Sequence, residues 1–279
     1  MSRRRDLQEH RHSLDEIRNI MNSMKTLAYM ETRKLSRFIG AQHTVVNSIE
    51  EVAADFLSFH ASDLSDSGET TPVYLLLGSE RGFCGDFNQR LLQQLEASLE
   101  SPSAMPPLLM IIGHKMQTLL QDDKRVFAML KGASVVEEVS TVLDQLVNEL
   151  LALQQQHGKI SLYAVYHCGE EGTAIQKLLP PFPHYLHQKA HFSLPPLLNV
   201  PPAEFLLDLT DQYLFAALHE ILYTSLLAEN HQRVIHLEGA VKHLDSESAE
   251  LTHRANALRQ EEIIEEIEVI LLSSTTLKA

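Results

Sequence analysis

Between Leu7 and Phe59 the chain repeats apolar residues at intervals of seven along two seams. The first reads Leu7, Leu14, Met21, Ala28, Leu35, Gln42, Ile49, Phe56, and the second His10, Ile17, Met24, Glu31, Phe38, Val45, Val52, Phe59; thirteen of these sixteen positions are apolar. A repeat sustained this long keeps one stripe against a partner helix, which favours supercoiling over packing on a globular core. Gly40 is the only glycine in the run and no proline comes before Pro72. The pattern predicts one helix of about fifty residues, roughly 75 to 80 Å long. From Ala203 to Leu277 there is again no proline, and Gly239 is the only glycine. A second long helix, nominally ~110 Å, follows. Its seam runs through Leu237, Leu244, Leu251 and Leu258, with Val241 and Ala255 between, then shifts phase to Ile263, Ile267 and Ile270. Such a shift locally changes the winding of a supercoil.

The two ends carry opposite charge. Residues 1–40 hold nine Lys/Arg against five Asp/Glu, and residues 229–268 hold four against ten. Antiparallel pairing would bring the two runs together, with the region around Met24 expected opposite Leu251 to Ile263.

In the middle, Val73 to Leu77 and Leu108 to Ile112 are continuous apolar runs that each end at a glycine, as strands buried on both faces do. Val126 to Leu130 and Ile160 to Tyr166 are further strands, separated by a helix from about Thr141 to Gln156. The alternation predicts a mostly parallel sheet covered on both sides over Pro72 to His167. Proline pairs at 180/181, 195/196 and 201/202 mark irregular chain after it. The organisation expected is an N-terminal coiled-coil helix (1–60), an α/β domain with a proline-rich tail (72–200) and a C-terminal coiled-coil helix (203–279). The fold class is therefore α/β with a long antiparallel coiled coil, the α/β domain inserted between its helices.

Composition narrows the function. With 279 residues and 44% apolar content the chain can build a real core. A net charge of −14 and a pI near 5.5 argue against nonspecific nucleic-acid binding, and the short basic run Arg3 to Arg5 does not reverse this. Cys84 and Cys168 form no CxxC pair and read as free thiols of a reducing compartment. No apolar stretch follows the N-terminal arginines, so no signal peptide is expected, and Asp6, Glu9, Asp15 and Glu16 speak against a transit peptide. The apolar segment Phe205 to Ala228 contains Asp208, Asp211, His219 and Glu220, which suits no bilayer span. Membrane association is expected only through partners.

Candidate chemistry is sparse. The glycine-rich stretch from Gly78 to Asn88 joins a strand to a helix, a place that can hold phosphate. It lacks the third glycine of a dinucleotide fingerprint, and the chain has no P-loop, so a structural turn is the better reading. Cys84 lacks a patterned His or Asp partner and reads as a small buried residue rather than a nucleophile. His184, His187 and His191 are weak as metal ligands, and Glu261, Glu262, Glu265, Glu266 and Glu268 read as a solvated or partner-facing stripe. No catalytic residue, cofactor or metal is expected.

Taken together, these residues resemble the γ subunit of F-type ATP synthases. Glu80-Arg81-Gly82-Phe83-Cys84-Gly85-Asp86-Phe87-Asn88 is similar to that family's Asp-Arg-Gly-Leu-Cys-Gly-Gly-Leu-Asn turn. Ser23-Met24-Lys25-Thr26-Leu27-Ala28, followed by Arg33 and Lys34, resembles its N-terminal pattern. Ala257-Leu258-Arg259-Gln260 with Ile263 to Ile270 resembles its C-terminal segment, Glu266 standing at the family's glutamate. Departures are Glu31 for a usual lysine, Asp86-Phe87 for Gly-Leu and Ile264 for Thr, as in a divergent, alternate or sodium-translocating branch. The resemblance implies a non-catalytic central-stalk rotor. Its partners would be the α/β catalytic hexamer, the ε subunit and the membrane c-ring, on the cytoplasmic side of a bacterial or archaeal membrane. It further implies that Met24, Lys25, Arg259, Gln260 and Glu266 meet the catalytic ring, while Arg81, Gly82, Cys84, Gly85 and Asn88 shape the turn. The alternatives are a Rossmann-like nucleotide-binding enzyme with a helical dimerisation hairpin and a cytosolic coiled-coil adaptor. The missing phosphate-loop residues count against the first, the inserted α/β domain against the second.

Overall fold

The computed structural model describes residues 2–60, 70–99, 106–169, 172–182 and 194–276. In chain order they form α1 (Ser2–His60), β1 (Thr71–Leu77), α2 (Phe87–Leu99), β2 (Leu108–Ile112), α3 (His114–Leu120), β3 (Val126–Leu130), a 3-10 turn (Val136–Glu138), α4 (Val139–His157), β4 (Ile160–Cys168), β5 (Gly172–Leu179) and α5 (Pro202–Thr276). The chain divides into two compact units, one of residues 1–28 with 234–279 and one of residues 29–233.

The larger unit is built on a sheet of order β3-β2-β1-β4-β5. β1 pairs in parallel with both β2 and β4, and β2 with β3. Because successive strand residues point to opposite faces, Leu76, Leu109 and Ile111 pack with Phe87, Leu91 and Leu95 of α2 and Met116 of α3. Leu75, Leu77, Met110 and Ile112 belong to the opposite core, with Val139, Leu143 and Leu146 of α4, Leu35 and Phe56 of α1, and Ala217, Leu218 and Ile221 of α5. Each buried Leu, Ile or Phe contributes about 1.5–3 kcal/mol of transfer free energy. The apolar runs of β1 and β2 thus have their cause in a helical layer on either face.

β5 extends the sheet beyond the stretch read from sequence and runs antiparallel to β4. Gly-Thr-Ala-Ile-Gln-Lys lies at the sheet edge and is half-buried throughout, so it needs no apolar run. It is held partly by polar pairing: the Tyr166 hydroxyl donates to Gln176 Oε1 at 2.9 Å, and Lys177 lies over the Tyr163 ring.

α1 departs from the sequence reading in its second seam. Leu14, Ala28, Leu35 and Phe56 of the first seam are buried, but Ile17, Phe38, Val45 and Val52 are exposed. Burial continues instead four residues after Leu35, Gln42 and Ile49, at half-buried Ile39 and buried Val46 and Ala53. Apolar residues flank the first seam on both sides, so sequence leaves either flank able to close. In the larger unit the flank with the smaller Val46 and Ala53 turns inward.

In the smaller unit α1 and α5 run antiparallel. Asp15 accepts from Ser248 Oγ at 3.3 Å, and Arg18 pairs with Asp245. Leu237, Val241 and Leu251 are buried on the expected α5 seam. The register corrects two expectations. Stepping from these pairs, Met24 comes opposite the turn near Gly239 rather than Leu251 to Ile263, consistent with the field of Lys25 acting on Glu238. By the same register α5 from about residue 262 runs beyond Ser2, the first described residue of α1. Ile263, Ile267 and Ile270 are therefore exposed and do not continue the seam.

Candidate functional site

The first feature of the glycine-rich turn is a close approach of two backbones. Gly78 follows β1 and Gly113 follows β2. A Cβ on Gly113 would lie 2.4 Å from the Gly78 carbonyl oxygen, and one on Gly78 would lie 2.3 Å from Met116 Cβ. In doubly wound sheets this place, beyond the carboxyl ends of parallel strands, is where nucleotides bind. Here it is filled from within. Glu80 Oε2 accepts the His114 amide at 2.9 Å and the Gly132 amide at 2.7 Å. Glu229, reaching in from α5, accepts the Glu80 amide at 3.2 Å and the Arg81 amide at 3.3 Å. Two carboxylates thus occupy the amide donors a phosphate would need. The cavity left beside Gly78, Gly132, Ser225 and Glu229 measures about 20 Å³, room for one water and not a nucleotide.

Arg233, one turn after Glu229, completes the joint. Its guanidinium donates to Gly82 O at 3.1 Å and Asn230 Oδ1 at 2.8 Å, approaches Cys84 Sγ at 3.4 Å and pairs with Glu229. Both side chains are almost wholly buried, at 6% and 5% exposed. Burial pushes the Glu229 carboxyl above the ordinary range, with Arg233 and the two amides opposing. Burial also pushes the Cys84 thiol up to about 12, against the pull of Arg233, so sulfur stays protonated and donates weakly to Gly82 O at 3.4 Å. A nucleophilic thiolate is excluded at neutral pH.

The other turn residues close the loop. Asn88 accepts the Ser79 amide through Oδ1 at 2.9 Å and donates through Nδ2 to Ser79 Oγ at 3.0 Å. Arg81 Nε donates to Ser134 Oγ at 3.0 Å. Gly85 takes φ +60°, a left-handed conformation natural to glycine, while Gly82 lies where an added Cβ would meet only the tip of Lys115. The sequence reading missed Glu80, Glu229 and Arg233. A Glu and Arg four apart ordinarily read as an exposed helix pair, and with Asn230, His231 and Gln232 between them nothing in the local sequence signals burial.

Beside the turn, His167 stacks on Phe87 with ring centroids 3.8 Å apart, its Nε2 donating to the Phe87 carbonyl at 2.8 Å. Burial lowers its pKa below 6.5, outweighing the carbonyl; Arg90 adds to the lowering, while nearby Asp86 opposes it. The unfolded chain then binds the proton more readily, so the neutral-His contribution is complete above about pH 6.5 and lost as pH falls below it. His167→Gln, which keeps an N–H donor, is expected to reduce the loss of stability between about pH 7.5 and 5.5. Urea denaturation of both proteins across that range checks this, and parallel pH profiles would refute it.

The residues expected at a partner surface belong to the smaller unit. Met24 and Lys25 are half-buried on α1. Arg259, Gln260 and Glu266 are exposed on α5, in the same stretch as exposed Ile263, Ile264, Ile267, Val269 and Ile270. Among the described residues no group of three or more His, Cys, Asp or Glu is arranged to hold a metal, and His184, His187 and His191 lie outside them. No helix among the described residues is long and apolar enough to cross a membrane.

A family profile described as ATP synthase matches residues 3–277. The ATP synthase gamma chain of Clostridium beijerinckii is 20% identical over 269 residues, covering 93% of each chain. That of Azobacteroides pseudotrichonymphae is 24% identical over 292 aligned positions, covering 98% of this chain and 99% of the other. Among solved structures, a chain of the Euglena gracilis mitochondrial ATP synthase OSCP/F1/c-ring assembly aligns with a TM-score of 0.66 at 16% identity, over 99% of this chain and 95% of that one. A chain of the rotor of the same enzyme gives a TM-score of 0.60 at 15% identity, over 94% and 99%.

Proposed function

Since the chain belongs to the ATP synthase gamma family, as a central-stalk subunit, we propose that its paired helices are the shaft turning inside the hexameric catalytic ring while its α/β domain meets the membrane ring and the ε subunit. The observation that carries this reading is the surface of the smaller unit. Ile17, Ile20 and Leu27 of α1 and Ile263, Ile264, Ile267, Val269 and Ile270 of α5 all stand exposed. A row of apolar residues left in water on a slender two-helix unit marks a surface that a partner encloses. An asymmetric shaft then presents a different face to each catalytic subunit and biases its open and closed states through differential contact energy. The chain's part is mechanical, and bond chemistry stays with the ring. The internally filled turn supports this and speaks against a nucleotide-binding enzyme.

On this reading Met24, Lys25, Arg259, Gln260 and Glu266 contact the ring, and the complex sits on the cytoplasmic face of a bacterial or archaeal cell membrane. Arg259 supplies the test. Its guanidinium offers a planar set of donors that lysine cannot reproduce, and it is exposed in the free chain. Arg259→Ala is therefore expected to lower ATP turnover of the assembled complex while changing the subunit's own stability by no more than ~0.5 kcal/mol. Reconstitution with the catalytic ring, scoring assembly and turnover separately, decides it. Unchanged turnover at full assembly removes Arg259 from the contact. Saturable ATP binding by the isolated chain would overturn the rotor reading itself.

A further inference from the structure

α1 passes between the two units at Ala28–Tyr29 and α5 at Arg233–Val234. In each helix a charged pair ties it to the α/β domain within about one to two turns of that point. On α1, Glu31 Oε2 accepts the Val136 amide at 3.4 Å, Glu31 Oε1 accepts from Lys34 Nζ at 2.8 Å, and Lys34 reaches on to Glu137 at 3.3 Å. On α5, Glu229 and Arg233 grip the turn through the amides of Glu80 and Arg81 and the carbonyl of Gly82. The two anchor points differ: α1 is fixed to the 3-10 turn before α4, α5 to the loop after β1.

The remaining contacts of these helices with the domain are largely apolar. Leu35 and Phe56 of α1 and Ala217, Leu218 and Ile221 of α5 are all buried in one core. Apolar contact is non-directional and resists separation better than rotation of a helix about its own axis. A charge-assisted hydrogen bond to a fixed backbone group is directional and strains as soon as the helix turns. Glu31 also gains a reason for standing where the family resemblance has lysine, because an ammonium has no acceptor for the Val136 N–H.

We propose that Glu31–Lys34 and Glu229–Arg233 form a two-point polar collar that holds α1 and α5 against twist and passes torque between the α/β domain and the helices. The inference rests on the rotor reading. These are positioning residues, and they touch neither nucleotide nor ring.

The test uses the whole ATP synthase assembled around this chain. One variant carries Glu31→Gln with Lys34→Met and another Glu229→Gln with Arg233→Met, each pair made uncharged at similar size. With the ring stalled by a non-hydrolysable nucleotide, the angular fluctuation of a probe on the membrane ring reads torsional stiffness. Unloaded ATP hydrolysis by the soluble complex and thermal unfolding of the subunit serve as controls. Expected is a wider fluctuation for each variant, widest with all four substitutions, at unchanged unloaded hydrolysis. Lys34→Arg, which keeps both ion pairs, should retain the original width. If the Glu229/Arg233 variant fails to fold, the Glu31/Lys34 pair decides alone, since losing a partly exposed pair costs less stability than losing the buried one. Unchanged width at full assembly overturns the collar and leaves the rotor standing. A parent chain that neither assembles with the ring nor turns with it overturns the rotor reading instead.

Discussion

Gly113→Ala is expected to destabilise the α/β domain by about 4 kcal/mol or more, the upper range for a single substitution, although it adds only one methyl group. Two costs coincide. Gly113 has φ +105° and ψ 125°, a conformation L side chains rarely adopt. Its new Cβ would also sit 2.4 Å from Gly78 O, 2.7 Å from Gly78 C and 2.9 Å from Ser79 O. All three are backbone atoms and cannot swing aside as a side chain would. Moving them means moving the ends of β1 and β2, where the Gly78 amide donates to Ile112 O at 2.9 Å and the Gly113 amide to Leu130 O at 3.1 Å. Gly158 is the control. It has φ +75° and ψ −131° but nothing within 4 Å of an added Cβ, so Gly158→Ala should cost only the conformational part, roughly 1–3 kcal/mol. Urea denaturation of the three proteins compares the two costs directly. Equal losses at both glycines would show that the close approach of the strand ends carries no energetic weight.

Arg233→Met is expected to lose about 3–5 kcal/mol, because it leaves the Glu229 carboxylate buried without its charge partner. Glu229→Gln with Arg233→Met should recover much of that loss, since a neutral pair of similar size avoids the desolvation of two ions. The single variant also has a distinctive pH dependence. Burial already raises the Glu229 pKa with Arg233 in place, and removing the guanidinium raises it further. A carboxyl whose folded pKa lies above its unfolded value contributes stability that is present below the unfolded value of 4.5 and lost as pH rises through the folded one. Arg233→Met should therefore narrow its deficit against the parent protein as pH is lowered from 7 towards 5. A deficit constant across that range would mean that Glu229 takes no part in it.

Much of the architecture was legible because local patterns and the global fold agree. The runs Val73 to Leu77 and Leu108 to Ile112 read as strands covered on both faces because they are short, continuous and apolar and each ends at a glycine, whereas Val126 to Leu130 proved to be a half-buried edge strand. The sevenfold leucines of α5 and the first seam of α1 required a helical partner, and the absence of proline let both helices run long. The turn from Gly78 to Asn88 was identifiable as structural from the residues it lacks.

Periodicity by itself determined that α1 and α5 are long helices with a shared seam, but not which flank of that seam closes, nor the register at which they meet. After Leu35, Gln42 and Ile49 apolar residues stand both three and four positions on, so there the choice fell to the shapes of the neighbours, which buried Val46 and Ala53 and left Phe38, Val45 and Val52 largely exposed. Register, set by Asp15 with Ser248 and Arg18 with Asp245, left Ile263 to Ile270 outside the seam, although their spacing looked like its continuation. The joint under the turn was invisible for a related reason. Glu80, Glu229 and Arg233 are far apart in sequence or ordinary in spacing, and a buried charge is known only from what surrounds it. Whether a carboxylate lies in water or fills an anion cradle is decided by three-dimensional neighbours, because desolvation and hydrogen bonding act through space and leave no period along the chain.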